Sequence, residues 1–513
     1  MGFAGQTYQI PCDKGGFSFD KNLDTIDPSM FVLPSKNINL HQNGREKRGG
    51  TSKVNASAVS GTPRILGIID FRLSGSAYQV FAGDDGKIYR DSTTVLKTGM
   101  STTNKYSFAV FGAELYICDG ASIPQTWNGA AAGTSNITTE AADWSSTKPI
   151  QMIAHSRGAS RRMWAIAGNA LYYSSLGNGQ VFSGGTSGKL SIDVQDTSGL
   201  VGMIEFGENL IAFSRSEAFI VTDQDIDVAT WGYIKAPWNG GAANWRTMVK
   251  IENDVAILSE DGQLYSITGV QDFGDYKAAS LMRPSYIDNY FKENADLTKI
   301  DDFHLVFDRN LRAIKLFFVR ENQTRVDSAL VYFIDRGPAQ GWVIHDNAIA
   351  AGYSASCSTE VRTSTGNYLV YTGDYVGTIW KLEQEARHDN GSAFYGGFKT
   401  PNLNFTNSRL RKHYRQLRCV VETTGTTILQ VRIWVDGTYK ESKTINIGSS
   451  PAGVLGTFVL NLDVLGGSVF TDGQSDLNHI GKRIQLEVFN TGFDQKFFIS
   501  QLMFDFKQLP TTI

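Results

Sequence analysis

At 513 residues the chain exceeds what one hydrophobic core of ordinary size holds, unless that core is a large closed all-β assembly, so two or more units are expected. Against only 12 prolines stand 52 glycines, and 12% aromatic with 19% charged residues suits short strands and tight turns over helices with charged outer faces. A formal net charge of −3 excludes a global basic field that grips nucleic acid along a surface, which leaves any DNA contact local or weak.

The opening, MGFAGQTYQIPCDKGG, lacks the charged start and apolar core of a signal peptide, and Gln6 stands where a myristoylation signal needs Ser or Thr. No stretch approaches the roughly 18 apolar residues of a membrane span, so a soluble protein without a membrane segment is expected. Residues 1–60 hold few periodic stretches and one polar, basic run, NGREKRGGTSK. Such a segment is predicted to be an extended arm that orders only against neighbours.

From residue 61 to 386 one pattern recurs: a short apolar strand, a polar turn that often contains Gly, and a second strand rich in aromatics. Seven such hairpins follow one another, at Ala77, Phe111, Met163, Glu208, Asp254, Ala313 and Asn367. Their spacing of roughly 35–60 residues is that of one four-stranded propeller blade. The fold class expected is therefore all-β, a propeller of about seven blades, with six to eight compatible with the pattern. Unrelated sandwich hairpins are the alternative source of such regularity.

After Glu383 the polar, Gly-rich stretch QEARHDNGSAFYGG has the composition of a linker. Leu429, Val431, Ile433 and Val435, and later Leu502, Phe504 and Phe506, then alternate strictly with other residues, as a sheet with one packed face requires. Residues 394–513 are predicted to form a separate C-terminal β-sandwich.

Residues that carry chemistry are sparse. The four cysteines, Cys12, Cys118, Cys357 and Cys419, form no C-x-x-C pair, and the seven histidines are isolated from one another, so neither a metal site nor a disulfide framework is assigned. GGTSGKLS around Lys189 departs from a phosphate-binding loop at its first Gly and at Leu190, and is taken as an ordinary loop. TGDYVGTIW and SEDGQLY each miss the spacing of a glycosidase Asp box by one residue, and fit hairpin turns with Gly at positive φ and Asp bonding its own backbone. No catalytic residue, metal ligand or cofactor is assigned, and a non-enzymatic protein is expected.

The densest charge is SRLRKHYRQLRC, with Arg409, Arg411, Lys412, Arg415 and Arg418 at the start of the sandwich. On a regular strand Arg409, Arg411 and Arg415 share one face while Lys412 and Arg418 lie on the other. Arg45, Lys47 and Arg48 form a second cluster, and Arg157, Arg161 and Arg162 a third. The first two clusters are the candidate assembly interface, suited to an acidic partner surface or to phosphates. A solvated strand edge guarded by charge accounts for the first equally well.

The stretch IDPSMFVLPSKNINLHQNGREKRGGTSKVNA resembles the opening of the tail nozzle, or packaged-DNA-stabilisation, proteins of short-tailed bacteriophages. Those openings run through a Pro-containing segment and an Asn-rich strand to a Gly, a basic pair and a Gly. Here the elements are Pro28, Pro34, Asn37, Asn39, Gly44, Lys47, Arg48, Gly49 and Gly50, with Arg48-Gly49-Gly50 in place of the usual basic-Pro-Gly. GLVGMIEFGENLIAFSRSEAFIVTDQD from Gly199 and the closing KRIQLEVFNTGFDQKFFISQLMFDFK are similar to a blade and to the last sandwich strands of the same family.

The resemblance implies a virion protein of the tail, made in a bacterial cytoplasm. It implies a homo-oligomeric ring, six-fold in that family, below the portal and its adaptor, which retains packaged DNA and passes it during ejection. Tail fibres, spikes or a plug would attach to its outer wall. A propeller glycosidase or depolymerase, and a receptor-binding module that holds sugars on exposed Trp and Tyr, are the competing functions.

Overall fold

The computed structural model describes residues 5–510 other than 21, 158–159, 226, 239, 270–275, 348–351, 406–407, 423–426 and 448–469. Seven antiparallel four-stranded sheets follow one another along the chain. Their first strands, Ile65–Leu73, Ser107–Phe111, Gln151–Arg157, Gly202–Phe206, Met248–Ile251, His304–Asp308 and Cys357–Arg362, each pack against the first strand of the next sheet. The seventh packs in turn on the first, closing the ring of a seven-bladed β-propeller.

The hydrophobic core lies in layers between blades. Trp164 and Tyr173 of blade three, for example, pack with Met203, Leu210 and Phe219 of blade four and with Trp231. Because each blade is covered on both faces, its middle strands are largely apolar, as in Ala313–Phe318 and Ser328–Phe333, where every residue is buried, Lys315 included. Six of the seven hairpins expected from the sequence lie at the second and third strands of their blades, and the one at Phe111 spans the end of the first strand and the second strand of blade two.

The expected N-terminal arm is not an arm. Strand Gly50–Lys53 pairs with Ile379–Gln384 and supplies the outermost strand of blade seven, so the ring is latched by the beginning of the chain. The preceding strands belong to the sandwich. Gln6–Pro11 and Gly44–Lys47 pair with Phe498–Gln508, Ile38–His41 pairs with Gly44–Lys47, and Val32–Lys36 pairs with Gly396–Lys399. Apart from the local hairpin of Ile38–His41 with Gly44–Lys47, these short, weakly alternating segments hold their place through partners hundreds of residues away, which local periodicity does not reveal.

The sandwich is thus built from both ends of the chain, and the expected bounds of 394–513 omit its N-terminal strands. One sheet has the order Ile38–His41, Gly44–Lys47, Phe498–Gln508, Lys412–Glu422, Phe470–Gly481, with Gln6–Pro11 also on Phe498–Gln508. The other runs Val32–Lys36, Gly396–Lys399, Ile484–Asn490, Thr427–Val435, Thr438–Ile447. Leu429, Val431, Ile433 and Val435 point into the core between them, as their alternation predicts. That core continues through Phe17, Phe31 and Ile38 into blades five and six, so the two domains share one hydrophobic cluster. Among the described residues no helix is long and apolar enough to cross a membrane.

Candidate functional site

The basic cluster at Arg45, Lys47 and Arg48 is buried to within 1% of completeness, so it is no surface for a partner. Arg45 lies between the rings of Phe31 and Phe398, 4.8 and 4.7 Å from their centroids, and donates to the carbonyls of Lys14 and Ser29. Lys47 donates to Asn490 Oδ1 at 2.9 Å and to the Gly492 carbonyl at 3.1 Å. Burial, followed by the charge of Arg48, lowers its ammonium pKa to about 7.

Arg48 is the centre of the junction. It pairs with Asp389 at 2.7 Å, donates to Asn37 Oδ1 at 2.9 Å and to the Asp346 carbonyl at 2.8 Å, and stacks on Phe394. The sequence flags these cations as surface charge because most of their partners, Asp389, Phe394 and Phe398 among them, lie far along the chain. Asp389 itself falls in the stretch expected to be a linker, and Arg387 of the same stretch pairs with buried Glu46. The linker expectation is therefore corrected: these residues close the seam between propeller and sandwich.

The cluster from Arg409 to Arg418 divides. A β-bulge between Tyr414 and Gln416 inserts one residue, so the alternation assumed for a regular strand fails there. Lys412 turns inward with Tyr414, Leu417 and Cys419 and donates to the Lys482 carbonyl at 2.8 Å, while Arg418 turns outward and meets Asp505 at 3.1 Å. Arg409, Arg411 and Arg415 are exposed. In the third cluster Arg161 is exposed and Arg162 is buried against Tyr173 and Trp231, while the side chain of Arg157 lies outside the described residues.

The near-miss motifs are structural. Asp374 accepts from the backbone N–H groups of Val376 and Thr378, both at 2.8 Å, and from Trp380 Nε1, with Gly377 at positive φ, which makes it a self-bonded hairpin turn. Lys189 lies on the outermost strand of blade three and pairs with Asp143 at 2.5 Å.

What sequence reasoning missed is a depression of about 620 Å³ at the end of the ring where the loops lead into the inner strands. Arg64, Lys105, Arg215, Arg246 and Lys299 line it against Asp119, Asp301 and Asp302, five cations to three anions. Lys105 donates to Asp302 Oδ1 at 2.7 Å, and Arg64 bonds the same oxygen. Burial raises the Asp302 carboxyl, but Lys105 and Arg64 more than offset it and hold the pKa at about 2. Burial, then Arg246 and Arg64, lower Lys105 to about 8. Arg64, Lys105, Arg246 and Lys299 come from the segments before blades one, two, five and six, and Arg215 from the hairpin turn of blade four, so only the closed ring gathers them and no local motif announces them.

Beneath this mouth a throat of about 190 Å³ is lined by Tyr106, Phe108, Trp245 and His304 among others. Burial lowers the His304 pKa well below that of a free imidazole, so the ring is neutral. Cys357 in the same wall is pushed up to about 11 by burial, which keeps it a thiol and no nucleophile at neutral pH. This arrangement accommodates a small anionic or polar group; it has no activated nucleophile.

At the opposite end of the inner strands His155 is held between two carboxylates, with Nδ1 3.0 Å from Glu205 and Nε2 3.2 Å from Asp223. Burial disfavours its charged form, yet Asp223 and Glu205 outweigh that and raise the pKa. Both ring nitrogens face carboxylates, so neither is left to take a proton from a substrate.

No protein-family profile matches the chain, and no curated protein does either. Among solved structures it is similar to several β-propellers. The Cps50 (Swd1) propeller domain of Myceliophteria thermophila is 9% identical, with 65% of this chain and 99% of that one aligned and a TM-score of 0.39. YCF48 of Cyanidioschyzon merolae is 10% identical over 65% and 99% of the two chains, with a TM-score of 0.40. The computationally designed Ika8 protein is 9% identical over 64% and 98%, with a TM-score of 0.36. These are likenesses of the propeller alone.

Proposed function

We propose that the chain is a structural virion protein, one subunit of a tail nozzle ring of a short-tailed bacteriophage that retains packaged DNA and guides its exit. The observation that carries this reading is the segment Gly44–Gly50. Its Gly, basic pair and Gly resemble the nozzle opening, and the same residues lead from the sandwich into the latch of the propeller. Gly49 and Gly50 admit no side chain there, since a Cβ at Gly50 would lie 2.1 Å from the His388 carbonyl oxygen. The resemblance thus rests on residues that the architecture needs.

A core shared across the seam suits a load-bearing subunit, because it ties the two domains together. A ring requires a heterologous contact that closes on rotation. Arg409, Arg411 and Arg415 are the exposed remainder of the candidate interface and are proposed to meet an acidic surface of a neighbouring subunit, of the portal and adaptor, or of a fibre, spike or plug protein. A net charge of −3 is compatible with a lumen that lacks a continuous basic lining, as sliding DNA would require.

Replacing Arg409, Arg411 and Arg415 together with Ser tests this. The variant is expected to fold normally, because all three are exposed, and to join particles poorly. Unchanged incorporation into particles, with lost affinity for duplex DNA, would contradict the assembly role.

A further inference from the structure

A cleft of about 550 Å³ lies between blades four and five and reaches the outermost strand of blade five, Tyr276–Ser280. It has the size of ligand sites in general. Its wall holds Gln263, which is 8% exposed and whose side-chain Oε1 and Nε2 both lack a hydrogen-bond partner among the described residues. The backbone of the same residue is fully engaged. Its N–H donates to Ser259 Oγ at 3.1 Å, and its carbonyl accepts from that hydroxyl at 3.0 Å and from the Ser259 N–H at 2.9 Å.

The fold therefore positions Gln263 and makes no use of its carboxamide. A buried amide with nothing to bond is disfavoured, and an apolar side chain of similar size would avoid the cost. Rotation toward the cleft resolves it once a ligand supplies an acceptor and a donor side by side.

The surroundings define that ligand. Arg215 is engaged by Glu260 at 2.7 Å and by Asp301 at 3.0 Å, so the wall presents little net charge. Ala278, Ala279 and Ser280 keep the opposite side shallow, and the outer edge of their strand pairs with no other strand among the described residues. A carboxamide complements a peptide group, and a free strand edge complements an extended backbone.

We propose that this cleft binds an extended polypeptide segment of a partner protein, which adds along Tyr276–Ser280 and pairs one of its peptide groups with Gln263. The proposal stands independently of the nozzle reading. Random linear peptides displayed on phage are selected on the full chain, and enriched peptides are then titrated by fluorescence anisotropy. Ala279→Trp, an exposed position that fills the cleft, is expected to abolish binding. Gln263→Leu is expected to weaken it about tenfold or more, the loss of one buried hydrogen-bonding pair, while its Tm stays at or above that of the parent.

N-acetylglucosamine and galactose are titrated on the same proteins, since a hydroxyl-rich ligand is the competing use of such a wall. The proposal is overturned if no peptide is enriched over the Ala279→Trp background. It is equally overturned if enriched peptides bind Gln263→Leu unweakened, or if only the sugars bind.

Discussion

Replacing Arg48 with Met leaves Asp389 buried without its partner and strips donors from Asn37 and the Asp346 carbonyl. Breaking a buried pair from one side costs about 3–5 kcal/mol, far more than the pair contributes in net terms, because the surviving charge remains desolvated. Urea unfolding should register a loss of that size, and a loss below about 1 kcal/mol would show that the seam does not depend on this pair.

Titration gives a second test on the same seam. Burial raises the Glu46 carboxyl, but His41, Arg387 and Lys496 outweigh it and set the pKa at about 2, below its ordinary 4.5. The stability it contributes is present above pH 4.5 and lost as the pH falls toward 2. Lys47 works in the opposite direction. Its folded pKa of about 7 lies below the ordinary 10.5, so the unfolded chain binds more protons in that window and stability rises with pH across it. Lys47→Met should remove the rise between neutral and alkaline pH, as measured by urea midpoints, and an unchanged slope would exclude Lys47 as its source.

At the scale of elements, the latch strand decides whether the propeller closes. Deleting residues 1–55 removes the outer strand of blade seven and four strands of the sandwich, so the product should be insoluble or lack a cooperative unfolding transition. A folded, cooperative propeller after this deletion would contradict the latch. Gly50→Ala is the milder form, expected to cost about 1–3 kcal/mol through overpacking against the His388 carbonyl.

The sequence made the middle of each blade legible because second and third strands are joined by short turns and buried on both faces. AIKLFF and SALVYF announce blade six without any knowledge of the rest. Gly50–Lys53 and Gly44–Lys47 are four residues each and carry Lys, Arg and Glu, so nothing local marks them as strands, or the second as wholly buried. The basic clusters were visible as charge, but whether a cation faces solvent was settled by a bulge at Arg415 and by partners distant in sequence. The mouth of the ring was illegible for the same reason, since its cations come from loops of five different blades that are far apart in sequence.

For the whole molecule, one hydrophobic cluster spans the seam between propeller and sandwich, a coupling that the proposed role of holding packaged, self-repelling DNA requires. The purified protein should accordingly show one cooperative unfolding transition for both domains, with propeller and sandwich probes melting together; separated transitions would show that the shared core does not couple them. Retention of the genome is the central claim, and it is tested most directly on particles assembled without this protein. Their genomes are packaged, nuclease-sensitive DNA is measured over time, and purified protein is added back to half of the sample. The account predicts that DNA is packaged and then lost, and that the added protein restores its protection; particles that keep their DNA without the protein would contradict it.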